Sequence, residues 1–228
     1  MLTLVRRVVR KLQVLLSGEP VEITAWRMRA EHLNARAVFN AGHADADLDA
    51  VTAMQKRELY PRLRQMLAGT ERIALDFGCG TGRFSGDLAE LINGRVIAVD
   101  PVQRPLDLAP RHKRVEYRLM WPGKIPVATA SIDLVWICLV LGGVQGKVLQ
   151  STLRELDRVL KPSGLVFLVE NTTSVAGTGF WTFRSIGEYR AILPGISLDH
   201  LGDYIDLGER ISIFAGRKAS LPVDPANQ

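Results

Sequence analysis

The chain has 228 residues, 47% of them hydrophobic and 23% charged, which is the make-up of a folded protein large enough to bury its own apolar core. Only two cysteines occur, Cys79 and Cys138, and the four histidines are scattered; this excludes a disulfide framework, leaves no metal site, and suits a reducing cytoplasm. Arg6, Arg7, Arg10 and Lys11 against Glu19 hold +3 of the net charge of +5 within the first twenty residues, so the remaining body lacks the basic stripe of a nucleic-acid groove and no nucleic-acid partner is expected.

Residues 2–16 place Val5, Val8, Leu12 and Leu15 at helical spacing, with arginine and lysine between them. Such a basic amphipathic helix either rests on an anionic surface, here the inner membrane face through residues 1–16, or packs on the domain or on a partner subunit. No apolar run approaches the roughly eighteen residues of a membrane span, and Ser17-Gly18-Glu19-Pro20 is a poor leader-cleavage site.

Residues 22–40 and 47–68 read as two further helices, the second capped by Asp47 or Asp49 and either kinked or restarted at Pro61. Residues 1–70 thus form a helical extension, able to act as a lid. A different rhythm follows, with apolar runs at Glu71–Asp76, Arg95–Asp100, Val115–Leu119, Ile132–Cys138 and Leu165–Glu170, and with helical spacing after residue 84 and over 148–160. Alternating strands and helices call for an α/β fold with a doubly wound, mostly parallel sheet covered on both faces. The domain spans 71–218, and residues 219–228, with two prolines, form a loose tail.

The chemistry centres on the first strand–loop–helix unit, where Asp76 and Phe77 lead into Gly78-Cys79-Gly80-Thr81-Gly82. Glycines let the backbone approach a ligand, and the helix that follows favours an anion at its start. Asp100, ending the second strand, stands where a carboxylate accepts both ribose hydroxyls. These features fit a dinucleotide or S-adenosylmethionine. Two details favour the latter: Arg83 replaces the last glycine of the dinucleotide pattern, and Asp76 would repel a pyrophosphate yet attract an amino-acid ammonium.

The run Leu75-Asp76-Phe77-Gly78-Cys79-Gly80-Thr81-Gly82-Arg83-Phe84 resembles motif I of class I S-adenosylmethionine-dependent methyltransferases. Asp100 stands at the spacing of that family's ribose-binding acid. Residues 125–135 are similar to its fourth-strand entry, and Leu153–Gly164 to the helix and turn before its fifth strand. The resemblance covers about residues 71–170 and implies a seven-stranded sheet ending in an antiparallel hairpin, from Ser197–Tyr204 and Glu209–Arg217. It implies S-adenosylmethionine as cofactor, with adenine between Pro101 or Val102 and the segment after the third strand. There the chain has Met120 and Trp121 where many relatives carry an acid. Cys138 falls near the expected methyl-transfer position.

Candidate bases are Glu170, at the end of the fifth strand, and His43, in a loop that can reach over the site. The acceptor reads as a small molecule, sugar or glycan. A lipid-linked acceptor at the membrane, or a module that binds nucleoside without transfer, are the other readings. The sequence leaves the acceptor and the oligomeric state open.

Overall fold

The computed structural model describes residues 20–43, 47–173 and 181–220. The expectations for the basic segment 1–16, and for the tail apart from residues 219–220, lie outside the described residues.

Helix α1 (Val21–Leu33) leads through a 3₁₀ turn at Asn34–Val38 and another at Ala41–His43 to α2 (Leu48–Met66). Asp47 caps α2, its carboxylate accepting the amides of Asp49 and Ala50. The helix runs on through Pro61 and does not restart there. Seven strands follow: β1 (Ile73–Phe77), β2 (Arg95–Asp100), β3 (Val115–Leu119), β4 (Ile132–Cys138), β5 (Leu160–Asn171), β6 (Asp199–Asp206) and β7 (Glu209–Arg217). Between them lie α3 (Ser85–Leu91), α4 (Gln103–Asp107), α5 (Gly146–Val159) and α6 (Ile186–Arg190).

The strands form one sheet in the order β3-β2-β1-β4-β5-β7-β6. The first five are mutually parallel, because each returns through a crossover, and β7 is antiparallel to both β5 and β6. The expected doubly wound sheet with a closing hairpin is therefore present. β5 starts five residues earlier than the apolar run suggests: Leu160 already pairs with Ile132, and an irregularity absorbs the polar turn at residues 161–164 before Leu165 pairs with Leu134.

Strict alternation sorts the strand side chains into two cores. Ala74, Leu134, Trp136, Leu165 and Phe167 face the side covered by α2 and α3, where Leu59, Leu63 and Leu88 are wholly buried. Leu75, Phe77, Val135, Ile137, Val166 and Leu168 face α5 and α6. Helix α2 is thus part of the main core, whereas Ile23, Ala30 and Ala37 of the α1 segment join Val102 in a separate small cluster at one end of the sheet. That segment lies over the strand ends. No helix among the described residues is long and apolar enough to cross a membrane.

Trp136 anchors the first core, stacked on Phe167 at 5.1 Å and flanked by Phe84 and Tyr60. Trp136→Ala removes that centre, and the expected cost is about 3–5 kcal/mol by urea denaturation. A loss under about 1 kcal/mol would mean that the stack is not what holds α2 and α3 to the sheet.

Candidate functional site

The carboxyl ends of β1, β2 and β4 open into a cavity of about 1030 Å³, counted out to its mouth. Its floor is the glycine loop. Gly78 and Gly80 both have left-handed backbones, at φ +70° and +54°. A Cβ on Gly78 would meet Val140 at 2.6 Å, and one on Gly80 would meet Val38 at 2.5 Å. The loop is therefore clamped between the turn after β4 and the segment after α1, and only glycine fits at either position.

Asp100 closes one end. Its two oxygens accept the amides of Gly80 (3.0 Å) and Val102 (2.9 Å), which fix the carboxylate toward the cavity. Asp76 closes the other, accepting Ser85 Oγ at 2.6 Å. Burial raises both carboxyls, Asp76 to about 7 and Asp100 to about 6; the Ser85 hydroxyl and the Arg83 charge restrain the first, and the two amides restrain the second.

Arg83 is the feature that sequence reading passed over. It was noted only as a replaced glycine, yet its guanidinium lines the cavity and is almost fully buried. It donates to Gln55 Oε1 at 2.8 Å and Thr52 Oγ1 at 3.3 Å, and lies 4.2 Å from the Phe39 ring centroid. Among the described residues no carboxylate forms an ion pair with it. A desolvated cation held by neutral groups has capacity for an anion. The loop amides expected to serve that purpose are largely spent: those of Gly78 and Cys79 donate to Val99 O, Gly80 to Asp100, and Gly82 to Cys79 O.

Of the other predicted positions, Phe77, Cys79, Pro101, Met120 and Cys138 all line this cavity. Burial pushes the Cys138 thiol up to about 12, so it stays protonated. Trp121 does not line it. That residue is 67% exposed, in a bridge with Lys124, and the cavity wall at that point is made by Pro122 and Gly123. Gly82 is also absent from the wall; it makes room for Tyr117, whose hydroxyl would sit 2.4 Å from an added Cβ.

Neither candidate base stands in the cavity. Glu170 has no exposed surface, and its carboxylate accepts the successive amides of Val140, Leu141 and Gly142 at 2.9, 2.6 and 3.3 Å. Tyr189 adds a fourth donor at 3.3 Å. Three of those four donors are successive backbone amides, so Glu170 shapes the turn after β4. Arg184 braces the same turn through Leu141 O and Val144 O. His43 pairs with Asp206 at 2.9 Å.

Asp206 in turn lines a second cavity, of about 930 Å³ counted the same way, between the α1 segment and the β6–β7 hairpin. The two cavities share Trp26, Val38 and Leu139 as walls. The second is walled by Phe39, Trp181 and Phe183 as well, with Arg29, Asn171 and Glu209 among its polar groups. Trp181 lies against Gly142, where an added Cβ would come within 2.4 Å of the indole. No periodicity or motif in the sequence picks out these residues.

A doubly wound sheet with a glycine loop at its carboxyl edge, two buried acids beside that loop and an adjoining second chamber has the arrangement in which such sheets place ligand sites. Residues 75–168 match the family described as a methyltransferase domain. A malonyl-[acyl-carrier protein] O-methyltransferase of Legionella pneumophila is 34% identical over 132 residues, covering 54% of this chain and 44% of that protein. A demethylmenaquinone methyltransferase of Lactococcus lactis is 28% identical over 146 residues, covering 59% and 57%. The chain therefore spans about half the length of these relatives. Among solved structures, a SAM-dependent methyltransferase of Methanosarcina mazei has the same fold, with a TM-score of 0.61 at 18% identity over 72% of this chain and 99% of that one.

The buried acids set a pH dependence. Glu170, raised to about 7 by burial, joins Asp76 and Asp100 as groups that bind protons more tightly folded than unfolded. Their contribution to stability is complete below about pH 4 and is lost as pH rises through about 7. The thermal midpoint of the ligand-free protein is expected to be higher at about pH 5.5 than at about pH 8, with Asp76→Asn and Glu170→Gln each shrinking the difference. An unchanged difference in both variants contradicts the assignment.

Proposed function

We propose that the chain is an S-adenosylmethionine-dependent methyltransferase acting on a small-molecule acceptor held in the second cavity. The observation that carries this reading is the pair of cavities with common walls, one fitted to a nucleoside joined to an amino acid and the other open for the molecule to be methylated.

The fit rests on the chain's own groups. Asp100 keeps lone pairs for ribose hydroxyls after taking the two amides. Met120 and Val102 give an apolar bed for adenine. Arg83 answers the carboxylate of the methionine part and Asp76 its ammonium, so a zwitterion meets opposite charges in a site that would repel a diphosphate at Asp76. S-adenosylmethionine supplies a methyl group already activated on a sulfonium. What remains for the protein is to hold the acceptor atom in line, exclude water and take up a proton where one is released. Trp26 and Val38 of the α1 segment close the boundary between the chambers, and Leu139 stands at it from the sheet side. Asp206, paired with His43, places a carboxylate on the acceptor wall.

The acceptor does not come from the family resemblance. Only Leu139 of the second cavity's lining falls within residues 75–168; the rest belongs to the α1 segment, to Asn171 at the end of β5 and to residues beyond it. The two relatives differ in their named acceptors, one acting on a malonyl-carrier protein and the other on demethylmenaquinone. A shared cofactor domain with a private acceptor wall accounts for that.

Calorimetry tests the reading. S-adenosylmethionine and S-adenosylhomocysteine are expected to bind and NAD is not; Asp100→Ala and Arg83→Met are each expected to weaken binding by roughly tenfold or more. Affinity for S-adenosylmethionine is expected to fall as pH drops below about 7, where Asp76 takes up a proton and loses its attraction for the ammonium. Tight NAD binding would move the protein to another class.

A further inference from the structure

The second cavity has an imbalance of hydrogen-bonding groups. Several of its donors are turned inward to protein acceptors. Asn171 Nδ2 and Asn40 Nδ2 both donate to Glu209 Oε2, at 2.8 and 2.9 Å. Arg29 turns Nε and Nη2 to the carbonyls of Ala37 and Phe39, and its guanidinium lies 5.7 Å from the Trp26 ring centroid. The amide oxygens of Asn40 and Asn171 are taken by the backbone N–H groups of Gly42 and Thr173.

Acceptors remain. Among the described residues Glu209 Oε1 and Asp206 Oδ2 receive no hydrogen bond, and neither carboxylate has a lysine or arginine partner; Asp206 pairs only with His43. Asp206 is 6% exposed, so its charge faces the cavity with little water to screen it. Trp26, Phe39, Trp181 and Phe183 line the same cavity, with Trp26 and Trp181 edge to face at 6.3 Å. Arg29 lies over the Trp26 ring and Arg83 over the Phe39 ring, which leaves Trp181 and Phe183 as the rings without a cation over them among the described residues. Aromatic faces and unpaired carboxylates are the two surfaces that attract an organic cation.

We propose that the second cavity selects a ring-bearing ammonium compound, the ring packing between the aromatic walls and the ammonium held by Asp206 and Glu209. Its role as methyl acceptor rests on the methyltransferase reading; its binding does not. The geometry separates handle from reaction centre. Asp206 and Glu209 pair with each other at the tip of the β6–β7 hairpin. Leu139, where the chambers meet, follows β4, and β6 lies three strands away across the sheet, roughly 14 Å at ordinary strand spacing. A compound spanning that distance presents its ammonium at the hairpin and the atom to be methylated beside the cofactor. An acid of the same size would place its charge against two carboxylates.

The test uses 2-phenylethylamine and 3-phenylpropionate, matched in ring and length and opposite in charge. Each is titrated by calorimetry into the full chain near neutral pH, with and without saturating S-adenosylhomocysteine. The amine is expected to bind at least tenfold more tightly than the acid. Asp206→Asn with Glu209→Gln is expected to remove that preference while leaving S-adenosylhomocysteine affinity within about twofold. Because Asp206 also holds His43, Glu209→Gln alone serves as the second variant, with a smaller loss in the same direction. Equal binding of both probes, preference for the acid, binding of neither, or an amine preference that survives both variants overturns the proposal. Failure of S-adenosylhomocysteine to bind the wild type sinks the methyltransferase reading and leaves the charge preference to be judged on the cofactor-free titrations.

Discussion

The arrangement of both chambers depends on one buried carboxylate and the three amides it grips. After β4 the chain must leave the sheet, turn and start α5, and it does so with Leu139 in a left-handed conformation, an unfavourable choice for a branched residue. Glu170, reaching across from β5, offsets that cost by satisfying Val140, Leu141 and Gly142 in succession. Three consequences follow from the fixed turn. Leu139 and Val140 become walls of the first cavity, Val140 clamps Gly78, and Gly142 seats the Trp181 indole that walls the second. An acid that looks catalytic by position thus acts on the backbone, and through it on two ligand sites at once.

The first cavity is built to be electrostatically dissatisfied without its ligand. Asp76 and Asp100 are buried acids held up by the loss of water, and Arg83 is a buried cation among neutral partners. An apolar wall at these three positions would be cheaper for folding alone. On the proposed reading a zwitterion brings the complementary charges and recovers on binding the energy withheld during folding, while Ser85, Gln55 and the loop amides already hold the groups in place.

What could be read from the sequence divides along physical lines. The central parallel strands were legible because burial on both faces makes them apolar runs, and β2 and β4 fall on the predicted residues; β3, at the sheet edge and only partly buried, also falls on its predicted residues but carries Glu116 and Arg118. The cradle and its two acids were legible because chemistry and backbone conformation there demand particular residue types. Arg83 was missed because a cation beside a glycine loop reads as a surface residue until Phe39 and Gln55, far off in sequence, are seen to bury it. Trp121 was misplaced for the converse reason: an aromatic next to Met120 looks buried, but successive residues leaving a strand point opposite ways, and the side facing the cavity belongs to Met120. The second cavity was out of reach altogether, since its walls come from an irregular segment after α1, residues 181–183 and a hairpin tip, none of which has a periodicity to read.

That division also bears on how such a domain acquires its acceptor. The strands and the cradle are constrained from both sides, by packing and by the cofactor's fixed chemistry, and leave little freedom. The α1 segment touches the sheet ends through a small apolar cluster, and the β6–β7 hairpin projects beyond the last helix. Changes of charge at Asp206 or Glu209, or of ring size at Phe39 and Trp181, alter the second chamber without disturbing either main core, because none of the four belongs to those clusters. Specificity can therefore drift quickly at the edge of a domain whose centre is held still. In this chain the edge carries two carboxylates that, among the described residues, form no ion pair with a lysine or arginine, and on the proposed reading a ligand brings that charge.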